Sequence, residues 1–358
     1  MWQGIYGHDA VVQQFRQSLA QGRLASSYLF VGPSGVGKRC FALKLAEALL
    51  CTENAAAPLE PCGQCESCRL ARAGNHPDLD LIGLPPGKRR LPVELFIGDR
   101  DHRNQIGLCH NLALRPRLGR HRVAIIDDAD FLTIESANCL LKTLEEPPPG
   151  AVLILIGTSR SRQLPTILSR TQIMRFRPLS SEVLRRLLLE QKIVTDETRA
   201  SVLAEQCDGS LARAAELADP ELQSFEQRLL PQFAPARFDS GRLAAELSEY
   251  INQAGKEADA RRRRLRLVFQ LVGGLFRHVM RVSCGAEAEG LSTRDQAAEG
   301  LFPPGPATQC CALAALDRCL EAEVQLDRNA NQATLLECWL DDLAGIMSSY
   351  AAVPTARI

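Results

Sequence analysis

The sequence predicts an α/β domain built on a mainly parallel sheet and followed by helical domains. Short apolar runs alternate with helical patterns in the first half of the chain, and one of these runs leads into a glycine-rich turn. No strand pattern occurs after Pro178. Short buried strands separated by helices are typical of a parallel sheet that is covered on both faces. We therefore expect three domains, at residues 1–178, 179–222 and 223–358.

The spacing of apolar residues predicts the elements of the first domain. A helix is expected over residues 9–21, with Asp9 as its N-cap and Gly22 at its end. Another is expected from Ile134 to Glu146, where three consecutive prolines stop it. The five predicted strands are Tyr28–Val31, Leu79–Leu84, Val123–Ile126, Val152–Ile156 and Ile173–Phe176.

The remainder of the chain is predicted to be helical. Ser180 and Ser181 are suited to cap one helix, and two more are expected at about 196–206 and 210–218. Ser210 would cap the last of these. The segment from Gly285 to Gly305 is predicted to be a loop.

Composition narrows the class of protein. The 358 residues include 42 Lys plus Arg and 42 Asp plus Glu, so the net charge is zero and a surface built to coat nucleic acid is excluded. A hydrophobic content of 46% indicates a globular chain. Neither a signal peptide nor a run of about 18 apolar residues is present. We expect a cytoplasmic protein without membrane contact, whose 13 cysteines are reduced.

A phosphate-binding loop follows the first strand. Residues 32–38 read GPSGVGK, in which Gly32, Gly35 and Gly37 let backbone N–H groups turn toward phosphate oxygens. Lys38 would reach the outer phosphates of a bound nucleotide such as ATP. The next position normally carries a Ser or Thr hydroxyl that holds Mg²⁺, but here it is Arg39. The pattern thus predicts nucleotide binding without efficient Mg²⁺-dependent hydrolysis.

The third strand ends in carboxylates. Residues 122–128 read RVAIIDD, the pattern in which Asp127 would be associated with Mg²⁺. A glutamate that polarises the attacking water usually follows, and Asp128 is shorter by one methylene, about 1.5 Å of reach. Solvated acids that merely end a strand are the alternative. Both nucleotide motifs therefore depart from the pattern at their catalytic positions.

Four cysteines have the spacing of a metal site. The pattern C-x10-C-x2-C-x2-C comprises Cys51, Cys62, Cys65 and Cys68. Four thiolates suit tetrahedral Zn²⁺ and leave no open position for water, so the predicted zinc is structural. Iron–sulfur ligation and metal-free cysteines remain as alternatives.

The order of these motifs resembles the bacterial clamp-loader ATPase family within the AAA+ superfamily. The resemblance begins at residues 5–9 (IYGHD) and includes residues 27–30 (SYLF), the phosphate loop, the cysteine cluster and the acidic strand. It continues through residues 137–148 (ANCLLKTLEEPP) and 164–171 (LPTILSRT), in which Thr171 replaces the family's cysteine. Residues 1–220 carry the resemblance, and the C-terminal domain matches only loosely.

The resemblance implies a fold and a set of partners. Residues 1–178 would be an AAA+ domain, 179–222 a helical lid and 223–358 an all-α collar for oligomerisation. The implied partners are the motor subunits (gamma/tau) and delta, with the sliding clamp and primed DNA reached through the assembly. Motor subunits keep the hydroxyl and the glutamate that Arg39 and Asp128 replace, so the chain is expected to be a non-hydrolysing subunit at one end of the spiral. An active motor ATPase and a pure interaction scaffold are the competing interpretations.

The resemblance also implies roles for individual residues. Arg170 would project as an arginine finger into the nucleotide site of a neighbouring subunit. Thr158 would occupy the polar sensor position near phosphate, whereas Arg213 lies one residue too late to serve as the second sensor. Nine basic residues between 88 and 122 could face DNA phosphates, although a solvated loop is an equal alternative.

Overall fold

A computed structural model describes residues 2–53, 59–255, 257–285, 302 and 305–351. The chain divides into two compact units, Met1–Leu217 and Ala218–Ile358. The helices predicted at 179–217 thus belong to the same compact unit as the sheet. Most of the loop predicted from Gly285 to Gly305 lies outside the described residues.

The first unit contains the five predicted strands. They are β1 (Ser27–Val31), β2 (Leu79–Ile82), β3 (Arg122–Ile126), β4 (Ala151–Gly157) and β5 (Gln172–Arg175). All neighbouring pairs are parallel, in the order β2-β3-β4-β1-β5. The predicted parallel sheet is confirmed, with β1 between β4 and β5.

Ten α-helices accompany these strands in the described part of the first unit. They are α1 (Asp9–Ala20), α2 (Lys38–Leu50), α3 (Glu66–Arg72), α4 (Glu94–Ile97), α5 (Leu108–Ala113), α6 (Ile134–Glu145), α7 (Pro165–Leu168), α8 (Ser181–Glu190), α9 (Glu197–Gln206) and α10 (Leu211–Leu217). The hydroxyls of Ser180 and Ser210 accept from the backbone N–H groups of Val183 and Arg213, as the capping predictions require. The predicted Asp9 cap is wrong, because His8 occupies the cap position and Asp9 is the first helical residue.

Apolar side chains cover both faces of the sheet. Along β1, Tyr28 and Phe30 belong to one buried cluster, whereas Leu29 and Val31 belong to the other. The first cluster contains a group of contacting aromatic rings from α1, β1, α2 and the segment after β5, namely Phe15, Phe30, Phe41 and Phe176. Burial on both faces explains why the inner strands β1, β3 and β4 are nearly continuous apolar runs, whereas the edge strands β2 and β5 are partly exposed and include polar residues.

The second unit is helical throughout its described residues. Its helices are α11 (Pro220–Leu229), α12 (Ser240–Asn252), α13 (Ala258–Ser283), α14 (Pro306–Asp327) and α15 (Gln332–Ala351). Trp339 is fully buried and contacts Phe233 and Phe269, which gives this unit an aromatic core of its own. No helix in the described ranges is both long enough and apolar enough to cross a membrane.

Truncation of a central strand should show how much the sheet contributes to stability. Ile154 on β4 is fully buried, so Ile154→Ala removes packed methylenes and should lower the free energy of unfolding by about 2–5 kcal/mol. Ile134, at the start of α6, is 68% exposed, and the same change there should cost less than about 0.5 kcal/mol. Urea unfolding monitored by circular dichroism would compare them, and equal losses would contradict the assigned core.

Candidate functional site

The phosphate loop runs from the end of β1 to the start of α2. Gly35 and Gly37 have φ angles of 75° and 96°, in the left-handed region that favours glycine. A Cβ on Gly32 would lie 2.2 Å from the carbonyl oxygen of Phe176, so the backbones approach too closely for a side chain there. The three glycines of the motif therefore each meet a steric requirement, since a Cβ on Gly35 would lie 2.2 Å from Oγ of Ser210.

Lys38 is folded back into this loop. Its Nζ donates to the carbonyl oxygens of Gly32 and Pro33, at 2.6 Å each. Burial lowers the pKa of Lys38, while the nearby carboxylates of Asp130 and Asp127 act in the opposite direction. No hydrogen bond from the backbone N–H groups of residues 34–37 to another described residue is formed. The loop thus offers an ammonium group and a run of N–H donors to an anion.

The acidic end of β3 faces the start of α2. A guanidinium nitrogen of Arg39 lies 3.2 Å from a carboxylate oxygen of Asp127. Burial raises the pKa of Asp127, and the negative charge of Asp128 adds to that effect. Asp128 has a left-handed φ of 57°, and its carboxylate accepts from the backbone N–H of Leu84.

These residues do not fit the Mg²⁺ ion that the fold family implies at such a loop. A cation is already present beside Asp127 in the form of Arg39, and an arginine supplies no oxygen ligand. A hard divalent ion prefers oxygen donors and would be repelled by the adjacent guanidinium. The donor set therefore disagrees with a metal site.

Asp130 is a site residue that sequence reasoning did not assign. Its carboxylate accepts from the backbone N–H and the hydroxyl of Thr158, at 2.8 and 2.6 Å, and from the side-chain amide of Gln163. A Cβ on Gly157 would collide with both Asp130 and Gln163. Thr158 thus lies beside the acidic strand end, but its hydroxyl is engaged by Asp130. The only sequence signal was an acidic residue two positions beyond the pair Asp127 and Asp128.

A cleft of about 530 Å³ opens beside the phosphate loop. Lys38, Arg39, Asp127 and Asp128 line it, together with an apolar wall formed by Ile5, Leu179, Leu187, Ile193, Leu211 and Ala215. The structure thus brings together most of the predicted nucleotide-site residues in the lining of one cleft. Gly32 and the predicted sensor residue Thr158 do not line it.

Two further contacts support the loop and were missed from sequence. Nε2 of the buried His8 hydrogen-bonds the carbonyl of Val36 at 2.7 Å, and burial lowers the pKa of His8. The backbone N–H of Leu211, in the first turn of α10, donates to the carbonyl of Gly35 at 3.0 Å. Both contacts join segments distant in sequence, so no local pattern identifies them.

Arg170 lies away from this cleft. It precedes β5, and its guanidinium lies 2.6 Å from the carboxylate of Glu145, which ends α6. It also donates to the carbonyl of Thr166 and the hydroxyl of Ser169, and its side chain is 33% exposed. Arg213 does not line the cleft and is paired with Asp208.

The predicted cysteine cluster is assembled. The sulfur atoms of Cys51, Cys62, Cys65 and Cys68 all lie within 4.8 Å of one another, and two of the pairs are 4.0 Å apart. Zn–S bonds of about 2.3 Å in a tetrahedron place sulfurs about 3.8 Å apart, so a single zinc ion fits this set. A polynuclear iron–sulfur cluster needs a wider set of thiolates. Burial raises the pKa of Cys65, but hydrogen bonds from the backbone N–H groups of Cys68 and Thr52 outweigh it and lower that pKa to about 6.

The four clustered cysteines and helix α3 form a cysteine module, which is attached to α2, the helix that follows the phosphate loop. Arg72 of α3 donates to the buried carboxylate of Glu47 on α2 at 2.8 Å and to the carbonyl of Gly63 at 3.1 Å. The indole of Trp2 donates to the carbonyl of Leu59 at 2.8 Å. The module therefore braces α2 rather than contributing ligands to the cleft.

The basic stretch at 88–122 is less uniform than its sequence indicates. Arg122 is buried and ion-paired with Asp78 and Asp80, so it is not available to phosphates as the count of nine basic residues assumed. The two acids lie more than forty positions away in sequence, which explains why the pair was not foreseen. The other eight basic residues are Lys88, Arg89, Arg90, Arg100, Arg103, Arg115, Arg117 and Arg120.

Loss of one ligand should release the metal expected at the cysteine cluster. We expect about one zinc per chain, and Cys65→Ser should abolish it and lower the melting temperature by more than about 5 °C. Cys310→Ser changes an exposed cysteine of the second unit and should alter neither value. Elemental analysis and thermal melting test this, and a metal-free wild-type chain of unchanged stability would refute the assignment.

Comparisons with known proteins agree with the resemblance. The family model described as DNA polymerase III, delta subunit, matches residues 7–180. DNA polymerase III subunit delta' of Bacillus subtilis is 35% identical over 208 residues, 58% of each chain. The Pseudomonas aeruginosa subunit delta' is 40% identical over 146 residues, 41% of each chain. Subunit tau of Salmonella typhimurium is 35% identical over 237 residues, 65% of this chain and 35% of the relative.

The matches concentrate where the sequence resemblance does. The aligned segments span less than two thirds of each relative's length. They include relatives with both kinds of subunit name, delta' and tau. On this evidence residues 7–180 belong to the DNA polymerase III clamp-loader family.

Proposed function

We propose that this chain is a delta'-type subunit of the bacterial clamp loader of DNA polymerase III. It would help to load the sliding clamp on primed DNA together with motor subunits (gamma/tau) and delta. The relatives named delta' support this assignment, as do the two departures at the nucleotide motifs. In this proposal residues 179–222 act as the lid and 223–358 as the collar.

The ion pair between Arg39 and Asp127 is the observation that carries the proposal. It places a guanidinium where a hydrolysing site requires a metal ion, and Asp128 provides a shorter carboxylate than the usual glutamate. The chain would therefore not turn over ATP in its own site. Its zinc would be structural, because the cysteine module braces α2.

The position of Arg170 supports a role toward a neighbouring subunit. Tyr28 of β1 lies in register with Gln172 of β5, so residue 170 is level with Ser26. The phosphate loop begins six residues further along β1, a separation of about 20 Å at 3.3 Å per residue. An arginine side chain does not bridge that distance to its own cleft. Arg170 is exposed at the opposite edge of the sheet and would serve the site of an adjoining subunit.

Removal of the guanidinium tests this role. In a clamp loader reconstituted with motor subunits, Arg170→Ala should lower hydrolysis at the one adjoining motor site by about 10³-fold or more, because the finger stabilises charge on the transferred phosphate. Single-turnover ATP hydrolysis should then lose the fraction contributed by that site. Arg170→Lys should not restore it, since an ammonium lacks the planar fork.

Arg162→Ala provides the matched control, because Arg162 is an exposed arginine of the same unit and lies outside the motifs at residues 137–148 and 164–171. It should leave turnover unchanged. Equal turnover of the Arg170→Ala and wild-type assemblies would refute the trans role. The assembled complexes should be checked for equal stoichiometry by native mass spectrometry.

An active motor ATPase is the second candidate, favoured by the intact Lys38 and by the relatives named tau. Under the proposal, the isolated chain should show no ATP turnover above background. Robust turnover that Lys38→Ala abolishes would overturn the non-hydrolysing assignment and favour the motor. The assay requires only the purified chain and a phosphate-release readout.

A further inference from the structure

The phosphate loop and its acidic neighbours disagree with a divalent cation, yet they retain the groups that bind phosphate. Lys38 and the loop N–H groups remain, and a cleft of about 530 Å³ adjoins them. We infer that this site binds a nucleoside di- or triphosphate without a metal ion, with Arg39 in place of the cation. The inference deepens the proposed function by naming the form of the ligand, and it rests on that function only for the loss of hydrolysis.

The charges of the site favour a metal-free nucleotide. Lys38 and Arg39 place two positive charges beside the loop, against the carboxylates of Asp127 and Asp128 in the lining, and Arg39 lies 3.2 Å from Asp127. A nucleotide complexed with Mg²⁺ carries two fewer negative charges than the free form, so it is attracted less strongly to these cations. The metal would also have to displace Arg39 from Asp127 and would find no hydroxyl ligand. The site therefore discriminates against the magnesium complex.

Arg39 is placed where it can change partners. Its side chain is 64% exposed, whereas that of Asp127 is 22% exposed, so the guanidinium lies on the solvent side of the carboxylate. A phosphate entering the loop meets this guanidinium from the open side of the cleft. Its planar fork donates to two oxygens at once, which suits a phosphate as well as a carboxylate. One side chain thus shields Asp127 from the phosphates and binds them.

The rest of the cleft suits the organic part of a nucleotide. Its apolar wall includes Ile5, Leu179 and Ile193, and the side chain of Gln191 is a polar group among them. Apolar walls with a few polar groups are typical of sites for small molecules. The bond from Leu211 to the Gly35 carbonyl fixes α10 against the loop on the same side. A base would therefore pack between the segment at Ile5 and helices α8 and α10.

Equilibrium binding of a fluorescent ADP and ATP analogue to the purified full chain tests the inference. Fluorescence anisotropy should give lower dissociation constants with EDTA than with excess Mg²⁺. Arg39→Ala should weaken binding in EDTA by about tenfold or more, as expected for loss of charge-assisted hydrogen bonds. Arg39→Ser restores the hydroxyl and exposes Asp127, so its binding should become tighter with Mg²⁺ than with EDTA.

Arg120→Ala is the matched control, because Arg120 is an exposed arginine that precedes β3 and so lies at the opposite edge of the sheet. It should bind as the wild type does in both buffers. Circular dichroism would establish that each variant folds, and Arg39 is exposed enough for its replacement to be tolerated. Competition by unlabelled nucleotide would exclude binding through the fluorophore.

Three results would overturn the inference: binding that requires Mg²⁺, equal affinity of the wild type and Arg39→Ala in EDTA, or no binding of either nucleotide at millimolar concentration. These results concern nucleotide binding by the isolated chain. Failure of the proposed function would instead be seen in the reconstituted clamp loader, as motor turnover that Arg170→Ala leaves unchanged. A chain that binds nucleotide without metal but lends no arginine would retain the inference and lose the trans role.

Discussion

The parallel pairing of β1 with β4 and β5 is the constraint on which the rest of the first unit depends. Because neighbouring strands run in the same direction, their carboxyl ends meet at one edge of the sheet. The phosphate loop, the acids after β3 and Thr158 after β4 are therefore neighbours although they are far apart in sequence. The same constraint places Arg170, which precedes β5, at the other edge. One sheet thus separates the edge that carries the phosphate loop from the edge that carries Arg170.

The phosphate loop is held on several sides by residues from outside the nucleotide motif. His8 supports Val36 from the N-terminal segment, and Leu211 supports Gly35 from α10. Behind the loop, Glu47 connects α2 to the cysteine module through Arg72. A zinc ion would stiffen that module and, through Arg72, the helix that begins at Lys38 of the phosphate loop. Loss of metal would therefore affect the loop through α2 without changing any residue that lines the cleft.

The strands and the motifs were predictable because each depends on local sequence. Short, mainly apolar runs identified all five strands, and the spacing of four cysteines identified a cluster whose sulfurs do converge. Prediction from the sequence failed where the interaction partner of a residue is far away along the chain. Arg122 was counted as surface charge because its acidic partner Asp78 is 44 positions away. The Asp9 cap was wrong because an acidic residue is equally favourable inside the first helical turn, where it is found.

Asp130 and Glu145 show the same limit at the candidate sites. Asp130 follows a recognisable motif and Glu145 lies within one, yet only the fold reveals that the first binds Thr158 and the second binds Arg170. For Arg170 the consequence is energetic as well as geometric. A half-exposed ion pair contributes little to stability, on the order of 1 kcal/mol or less, so Glu145 restrains the guanidinium only weakly. In the proposed trans role, the arginine would exchange Glu145 for a phosphate on a neighbouring subunit, which carries more negative charge than a carboxylate.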